Sequence, residues 1–440
     1  MKRKEEAFLA DWLVYKGRKP LIIRGARQVG KSTLVRNFAA SQGLTLVEVN
    51  LERHFALSPF FQKRDLHQIL REIEGLTGQS LSQGRPLLFL DEIQAVPEAI
   101  AALRYFFEDH PELPVIAAGS LLEFALSERE FSMPVGRVEF LYLGPMQFEE
   151  VLEAQGEHQA LQALRTFDLQ SSLSTTLNEK LLQHYRDFLF VGGMPEAVQA
   201  WINGSTPDQV QAIQTHLIET FQADFAKYAK KDSYLMLRQV FQYAARAIGE
   251  KVKYTAIDPT ESSRSLKAAI RQLSLAGLLA PIYYSDCAGI PLGAGINDLV
   301  YKLFVLDVGL LNRLNGVTWQ NRSVHLTTEG ECAEQFVAQH LLYRRIQRET
   351  PQVYYWLREK KGSQAEIDFV FSLDDQIIPV EVKSGKSGSL KSLQIFMKEK
   401  PSAVAVRFDQ NVPSVQPFEE KKLLSLPLYA VGQAERVLRG

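Results

Sequence analysis

Gly25-Ala26-Arg27-Gln28-Val29-Gly30-Lys31-Ser32 decides how this 440-residue chain is read. The stretch fits G-x-x-x-x-G-K-[ST], and its flanks suit it. Leu21-Ile22-Ile23 before it has the apolar run of a short buried strand, and residues 31–40 after it have a helical pattern. A strand that passes through a glycine turn into a helix aims backbone N–H groups and the positive helix end at one point, and that point binds phosphate. The pattern predicts a cradle built from Gly25, Ala26, Arg27, Gln28, Val29, Gly30, Lys31, Ser32 and Thr33. Lys31 is expected to reach the β- and γ-phosphates of ATP, with the Ser32 hydroxyl on Mg²⁺. A chance glycine-rich turn is the competing reading, and motif and context together weigh against it.

Further along, Asp91-Glu92 closes the apolar run Leu87-Leu88-Phe89-Leu90. Acids at the carboxyl end of a parallel strand fall in the crevice where open α/β sheets bind ligands. Asp91 is expected to hold Mg²⁺, and Glu92 to orient or deprotonate the attacking water. An N-cap pair for the next helix is the structural alternative. Ser120, after the apolar run Val115-Ile116-Ala117-Ala118, is read either as a γ-phosphate contact or as a helix N-cap. Arg137 is read as neutralising transition-state charge in cis or in trans, or as a structural arginine.

Apolar runs at 21–23, 44–49, 87–90, 115–118 and 138–143 alternate with helical patterns, which predicts a parallel sheet covered by helices on both faces. Residues 148–200 read as mostly helical, broken at Gly192-Gly193-Met194-Pro195-Glu196, and 206–248 read as helical again. A helix–turn–helix–ribbon outline follows at 254–284, the outline of a winged helix.

Near the end, Glu381-Val382-Lys383 lies in an apolar strand pattern, and residues two apart share a strand face. If the run at 367–371 pairs with it as a hairpin, Asp368 joins that face, and Glu334 on the preceding helix completes a cluster. Carboxylates at Asp368 and Glu381 around Mg²⁺, with Glu334 and with Lys383 to activate water, suit phosphodiester hydrolysis. A solvated ion-pair face on a docking module is the alternative. Basic residues recur at Lys227, Lys230 and Lys231, at Arg264, Lys267 and Arg271, and at Arg344, Arg345 and Arg348. They read as nucleic-acid contacts or as ordinary solvated faces.

The motifs at 25–32, 87–94, Gly119-Ser120, Gly136-Arg137 and 192–196, continuing through 305–310, resemble those of the AAA-type P-loop ATPases of bacteria and archaea with an appended C-terminal domain of unassigned function. Leu121 stands where many relatives carry a second Ser. The resemblance implies an AAA-like core with strand order 5-1-4-3-2, a small helical lid and a winged helix. The acid–Asp–(Asp/Glu)-x-Lys pattern resembles the restriction-endonuclease-like superfamily. The expected fold class is α/β: a P-loop NTPase parallel sheet with helical lid, winged helix and a C-terminal restriction-endonuclease-like α/β domain. The expected segments are 1–147 for the ATPase core, 148–215 for the lid, 216–322 for the winged helix and 323–440 for the nuclease-like part.

Composition sets the remaining bounds. Hydrophobic residues make up 46% and charged residues 23%, ordinary for a globular protein, and the length asks for more than one domain. A net charge of -1 confines any nucleic-acid surface to a local patch. No run reaches the roughly 18 apolar residues of a membrane span, and no apolar stretch follows Met1-Lys2-Arg3-Lys4, so no signal peptide is read. Cys287 and Cys332 read as unpaired thiols of a cytoplasmic protein. Expected partners are ATP, with DNA or RNA, a protein partner or a homo-oligomer as further possibilities, and no membrane.

Overall fold

The computed structural model describes residues 1–440 except 120–133, 135, 170–172, 229–230, 322–328, 345–347, 361–362 and 440, and the side chains of 226–228, 231–232, 360 and 363. The chain divides into two units. One comprises Met1–Gly144, Leu275–Gly277 and Arg345–Pro351, and the other Pro145–Ser274, Leu278–Arg344 and Gln352–Gly440.

The first unit is built on β1 (Leu21–Arg24), β2 (Thr45–Asn50), β3 (Pro86–Asp91), β4 (Val115–Ala118) and β5 (Glu139–Tyr142). All pairings are parallel and the order is β2-β3-β4-β1-β5, the order that the family resemblance implies. Leu87, Leu88, Phe89 and Leu90 are all fully buried, which requires cover on both faces of β3. Each such side chain contributes about 1.5–3 kcal/mol. The helices are α1 (Glu5–Val14), α2 (Lys31–Gln42), α3 (Ser58–Lys63), α4 (Leu66–Thr77) and α5 (Pro97–Asp109). Ile22, Val47, Val49, Leu88 and Leu90 pack with Phe61, Ile69, Ile73, Leu103 and Phe106, so one sheet face is covered by α3, α4 and α5. Local chemistry sets the helix ends: the Asp65 carboxylate accepts from Gln68 N–H at the start of α4, and left-handed Gly78 closes it.

The second unit begins with helices α6 (Phe148–Ala154), α7 (His158–Thr166), α8 (Thr175–Val191), α9 (Pro195–Ile202), α10 (Pro207–Tyr228), α11 (Lys231–Arg246), α12 (Tyr254–Ile257) and α13 (Ser263–Leu275). Then come β6 (Leu279–Ser285), β7 (Ile296–Val305), α14 (Val308–Leu314), α15 (Glu329–Leu342), β8 (Tyr354–Lys360), β9 (Ser363–Leu373), β10 (Gln376–Val382), α16 (Lys391–Glu399), β11 (Val404–Asp409), β12 (Ser414–Phe418), β13 (Lys421–Pro427) and α17 (Ala434–Arg439). One eight-stranded mixed sheet runs β12-β13-β11-β10-β9-β8-β6-β7. The β6–β7 hairpin is therefore continuous with the C-terminal strands, through a parallel pairing of β6 with β8. β9 and β10 form the expected hairpin, turned at left-handed Asp374.

Two motif stretches meet in this unit for structural reasons. Asp307 is fully buried and accepts from Gly193 N–H (2.6 Å), Gly309 N–H (3.0 Å), Leu310 N–H (3.1 Å) and Gln339 Nε2 (3.3 Å). A Cβ at Gly192 would collide with the Asp307 carboxylate, and one at Gly193 with the Met146 carbonyl. The 192–193 turn and the start of α14 are thus one interlock. Nearby, His340 links Phe148 N–H (2.9 Å to Nε2) with the Phe336 carbonyl (2.7 Å from Nδ1). One nitrogen must accept and the other donate, so this imidazole is neutral and structural. Both cysteines are buried and free, and burial pushes each thiol up to about 12. Among the described residues no helix is long and apolar enough to cross a membrane.

Candidate functional site

The β1–α2 turn takes the backbone through conformations that glycine permits. Gly25 has φ +142° and Gly30 φ +95°, and a Cβ at Gly25 would collide with the Leu143 carbonyl oxygen. Lys31, the first residue of α2, is only 8% exposed and folds over the turn, donating to the carbonyls of Gly25 (3.0 Å) and Ala26 (2.8 Å). Burial pulls its ammonium down to about 8, against the opposing charges of Glu92 and Asp91.

β3 delivers the acids from the same edge of the sheet. The Ser32 hydroxyl donates to Asp91 Oδ2 at 2.9 Å, and Glu92 N–H donates to Asp91 Oδ1 at 3.1 Å. Burial raises the Asp91 pKa, and the Ser32 hydrogen bond opposes that rise. A serine hydroxyl beside a carboxylate is an all-oxygen pair. It fits Mg²⁺, which keeps most of its water and takes its other ligands from phosphate. Glu92 sits in the left-handed region (φ +50°), a strained conformation for a non-glycine residue, and its carboxylate accepts from Gln94 Nε2 at 2.5 Å. Gly119 is packed so tightly on Gln94 that a Cβ there would collide with the amide oxygen. Ser120 lies outside the described residues.

Arg137 goes elsewhere. It precedes β5, whose Glu139 pairs with Leu21 at the amino end of β1, whereas Gly25 follows the carboxyl end of that strand. Its Nε donates to Glu108 at 2.8 Å and the side chain is 43% exposed. Within one chain Arg137 therefore lies at the opposite end of β1 from the phosphate turn and does not take the cis role.

Residues that sequence reasoning passed over hold the turn. Arg3 is buried, and its guanidinium donates to the carbonyls of Val29 (3.0 Å) and Gly144 (2.9 Å), with Glu5 at 3.7 Å. Arg24 stacks on Phe140 (3.9 Å) and donates to the Tyr142 hydroxyl (3.0 Å).

The second unit gathers the other predicted group. Lys383 Nζ lies 2.5 Å from Glu381 Oε1, and Asp368 Oδ2 accepts from Val382 N–H at 2.7 Å. Burial raises the pKa of Glu334, Asp368 and Glu381, and the Asp368 charge adds to the rise at Glu334 and Glu381. Two members were not foreseen. Lys302 of β7, 1% exposed, forms an ion pair with Glu366 of β9 and lies 5.0 Å from the Tyr355 ring. Burial alone would lower Lys302, but Glu334, Asp368 and Glu366 outweigh it and hold the ammonium charged. Asp368 Oδ2 and Glu381 Oε1 serve a backbone N–H and an ammonium, whereas Glu334 Oε2 and Glu381 Oε2 are buried with no hydrogen-bond partner. The described residues contain no group of three or more His, Cys, Asp or Glu side chains placed to hold a metal.

The basic residues separate. Arg264, Lys267 and Arg271 are exposed on α13, opposite buried Leu266, Ile270 and Leu273. Arg344 is instead tied to Glu435 (2.8 Å) and the Leu341 carbonyl (2.9 Å), and Arg348 to Glu139 (2.7 Å). The side chains of Lys227 and Lys231, and residues Lys230 and Arg345, lie outside the described residues.

A family model described as an AAA domain matches residues 17–152, the span of this sheet, turn and acid pair. The chain carries an AAA-type P-loop domain. Two further models, each of a domain of unknown function (DUF8612 and DUF4143), match residues 182–321 and 329–429. Among solved structures, the chain is similar to a Walker-type ATPase of Pyrococcus abyssi (18% identity, 71% of this chain and 95% of that one, TM-score 0.44). It is also similar to the Aeropyrum pernix ORC2 protein in ADPNP–ADP complexes (15% identity, 74% and 94%, TM-score 0.38). The Aeropyrum pernix ORC1 protein in complex with DNA follows (12% identity, 72% and 93%, TM-score 0.27). No curated protein matches. Arg3, ahead of the matched AAA span, is the surprise: its partner carbonyls lie 26 and 141 residues away, and no local pattern marks such a contact.

Proposed function

We propose that this protein binds ATP with Mg²⁺ at the 25–33 turn, hydrolyses it, and couples nucleotide state to nucleic acid held on the basic face of α13. The observation that carries the reading is the meeting of Lys31, Ser32, Asp91 and Glu92 at the carboxyl edge of one parallel sheet. The turn amides and Lys31 hold the phosphates and take up charge that develops on the γ-phosphoryl oxygens. Ser32 and Asp91 would hold Mg²⁺, which neutralises the β- and γ-oxygens when bound. Glu92, kept in place by Gln94, orients the attacking water and accepts its proton.

The succession α12, α13 and the β6–β7 hairpin supports a winged helix, with Arg264, Lys267 and Arg271 turned outward to phosphates. The order α15, β8, β9, β10, α16, β11 supports a nuclease-like fold for the C-terminal strands. There the non-cleaving reading is preferred, because Lys302 and Lys383 already sit among the acids.

The test is an ATPase assay with and without DNA and RNA. Glu92→Gln is expected to keep ATP binding and lose turnover by about 10²–10⁴-fold. One class of nucleic acid is expected to stimulate wild type, and Arg264→Glu with Arg271→Glu to abolish that stimulation while leaving basal turnover. Turnover surviving in Glu92→Gln would refute the hydrolytic role; stimulation surviving charge reversal would remove α13 from the nucleic-acid reading.

A further inference from the structure

Gln94 stands two residues past Glu92, in the single turn 93–95 that follows β3. An ionised carboxylate only accepts, so the amide turns its Nε2 to Glu92 Oε2 and its Oε1 the other way. That oxygen is buried with no hydrogen-bond partner, an arrangement that costs stability. β4 runs parallel beside β3, and Gly119, the first residue past β4, lies against the oxygen. A Cβ at Gly119 would come within 2.2 Å of Gln94 Oε1, yet would keep an ordinary 3.5 Å from Ile93 Cγ2. Gly119 does not have a positive φ, so glycine serves here for room and not for backbone conformation. Glu92 itself is held at φ +50°, with its N–H on Asp91 Oδ1. A strained backbone, an unmet acceptor and a bare Cα are each unfavourable or unusual, and all three converge on the direction of one carboxylate.

We propose that Gln94 is the positioning residue of the hydrolytic centre: wedged against Gly119, it aims the Glu92 carboxylate at the attacking water. The inference rests on the hydrolytic reading of Glu92 and adds the group that sets its direction. The amide occupies Oε2 and leaves Oε1 to the water. The water's proton passes to Oε1 as its oxygen bonds to the γ-phosphorus, and the bond from that phosphorus to the bridging oxygen breaks to release ADP. A side chain at Gly119 would push the amide off Glu92 while leaving both residues in place.

Steady-state ATP turnover of the full-length protein tests it, alongside affinity for a non-hydrolysable ATP analogue and the melting temperature. Gln94→Met keeps a side chain of similar length without the N–H. It is expected to lower kcat by about 10²-fold, with analogue affinity and melting unchanged, and Gln94→Ala should do the same. Gly119→Ala is expected to lower kcat in the same way. Gly119→Ala combined with Gln94→Ala should be no slower than Gln94→Ala alone, because the new Cβ then has room. That last comparison holds even where Gly119→Ala alone is unstable. Wild-type kcat in Gln94→Met, a loss that falls on analogue affinity or melting instead of kcat, or a double variant slower than Gln94→Ala would each overturn the proposal. Glu92→Gln separates the two levels. Full turnover in that variant overturns the hydrolytic role and this inference with it, whereas an inactive Glu92→Gln beside a fully active Gln94→Met overturns this inference alone.

Discussion

Lys31 and Lys302 are both buried lysines beside acids, yet their electrostatic balance runs in opposite directions. Lys31 gives its hydrogen bonds to two neutral carbonyls, and burial outweighs Asp91 and Glu92, so its ammonium sits below the usual lysine range. Lys302 pairs with a carboxylate and feels two more, so its charge is held above that range. A buried cation short of negative charge gains from a phosphate; one already surrounded by carboxylates gains nothing from a ligand and stabilises its surroundings. The difference separates a binding lysine from a building lysine without reference to any motif.

Substitutions can break that distinction. Lys31→Met should weaken ATP binding by about a thousandfold, about 4 kcal/mol, with no loss of thermal stability, as read by titration calorimetry and melting. Lys302→Met should do the reverse. A Lys31→Met protein that melts well below wild type would erase the contrast. Asp307 extends it to acids. Its carboxylate is met by four donors, and although burial pushes it up to about 6, it stays charged at neutral pH. Asp307→Ala strands those donors and should cost about 3 kcal/mol of stability in denaturant unfolding, with ATP affinity per folded molecule unchanged. The smallest effect expected is at Arg3. Arg3→Ala frees the Val29 carbonyl and should weaken ATP binding about tenfold, with Arg3→Lys recovering only part because one ammonium cannot span both carbonyls. Unaltered affinity in Arg3→Ala would mean that the turn keeps its shape unaided.

The parts of this molecule that were legible in sequence are those whose physics is local. The strands of the AAA domain announce themselves because a strand buried on both faces is apolar at every position, as in Leu87-Leu88-Phe89-Leu90. The phosphate turn is a contiguous motif, and its acids close β3, one strand removed across β4. β12 and β13 escaped notice because Ser414–Phe418 is a mostly exposed edge strand containing Pro417, and Lys421-Lys422 mask the apolar half of its partner. Arg3 looks like any surface cation, since nothing nearby in sequence shows what it meets. Lys302 was readable in principle: a charge inside Tyr301-Lys302-Leu303-Phe304-Val305 demands a counter-ion. Glu366, two residues before Asp368, was equally in view. Neither belongs to the acid–acid–lysine pattern of the β9–β10 hairpin. The 192–196 and 305–310 stretches resemble family motifs, and their explanation is steric and lies in the interlock at Asp307.

The ladder joining β6 to β8 also bears on how the protein is best divided for expression. The two domain families meet between residues 321 and 329, yet hydrogen bonding runs straight across that seam through Tyr283–Tyr354 and Tyr284–Tyr355. A fragment begun at 329 would leave one side of β8 bare, an invitation to intermolecular pairing, and would leave Glu334, Glu366 and Asp368 without their lysine. Cleavage of the gene at the family boundary is thus expected to give an aggregating product, whereas a fragment that retains the hairpin keeps both its hydrogen bonds and its charge balance.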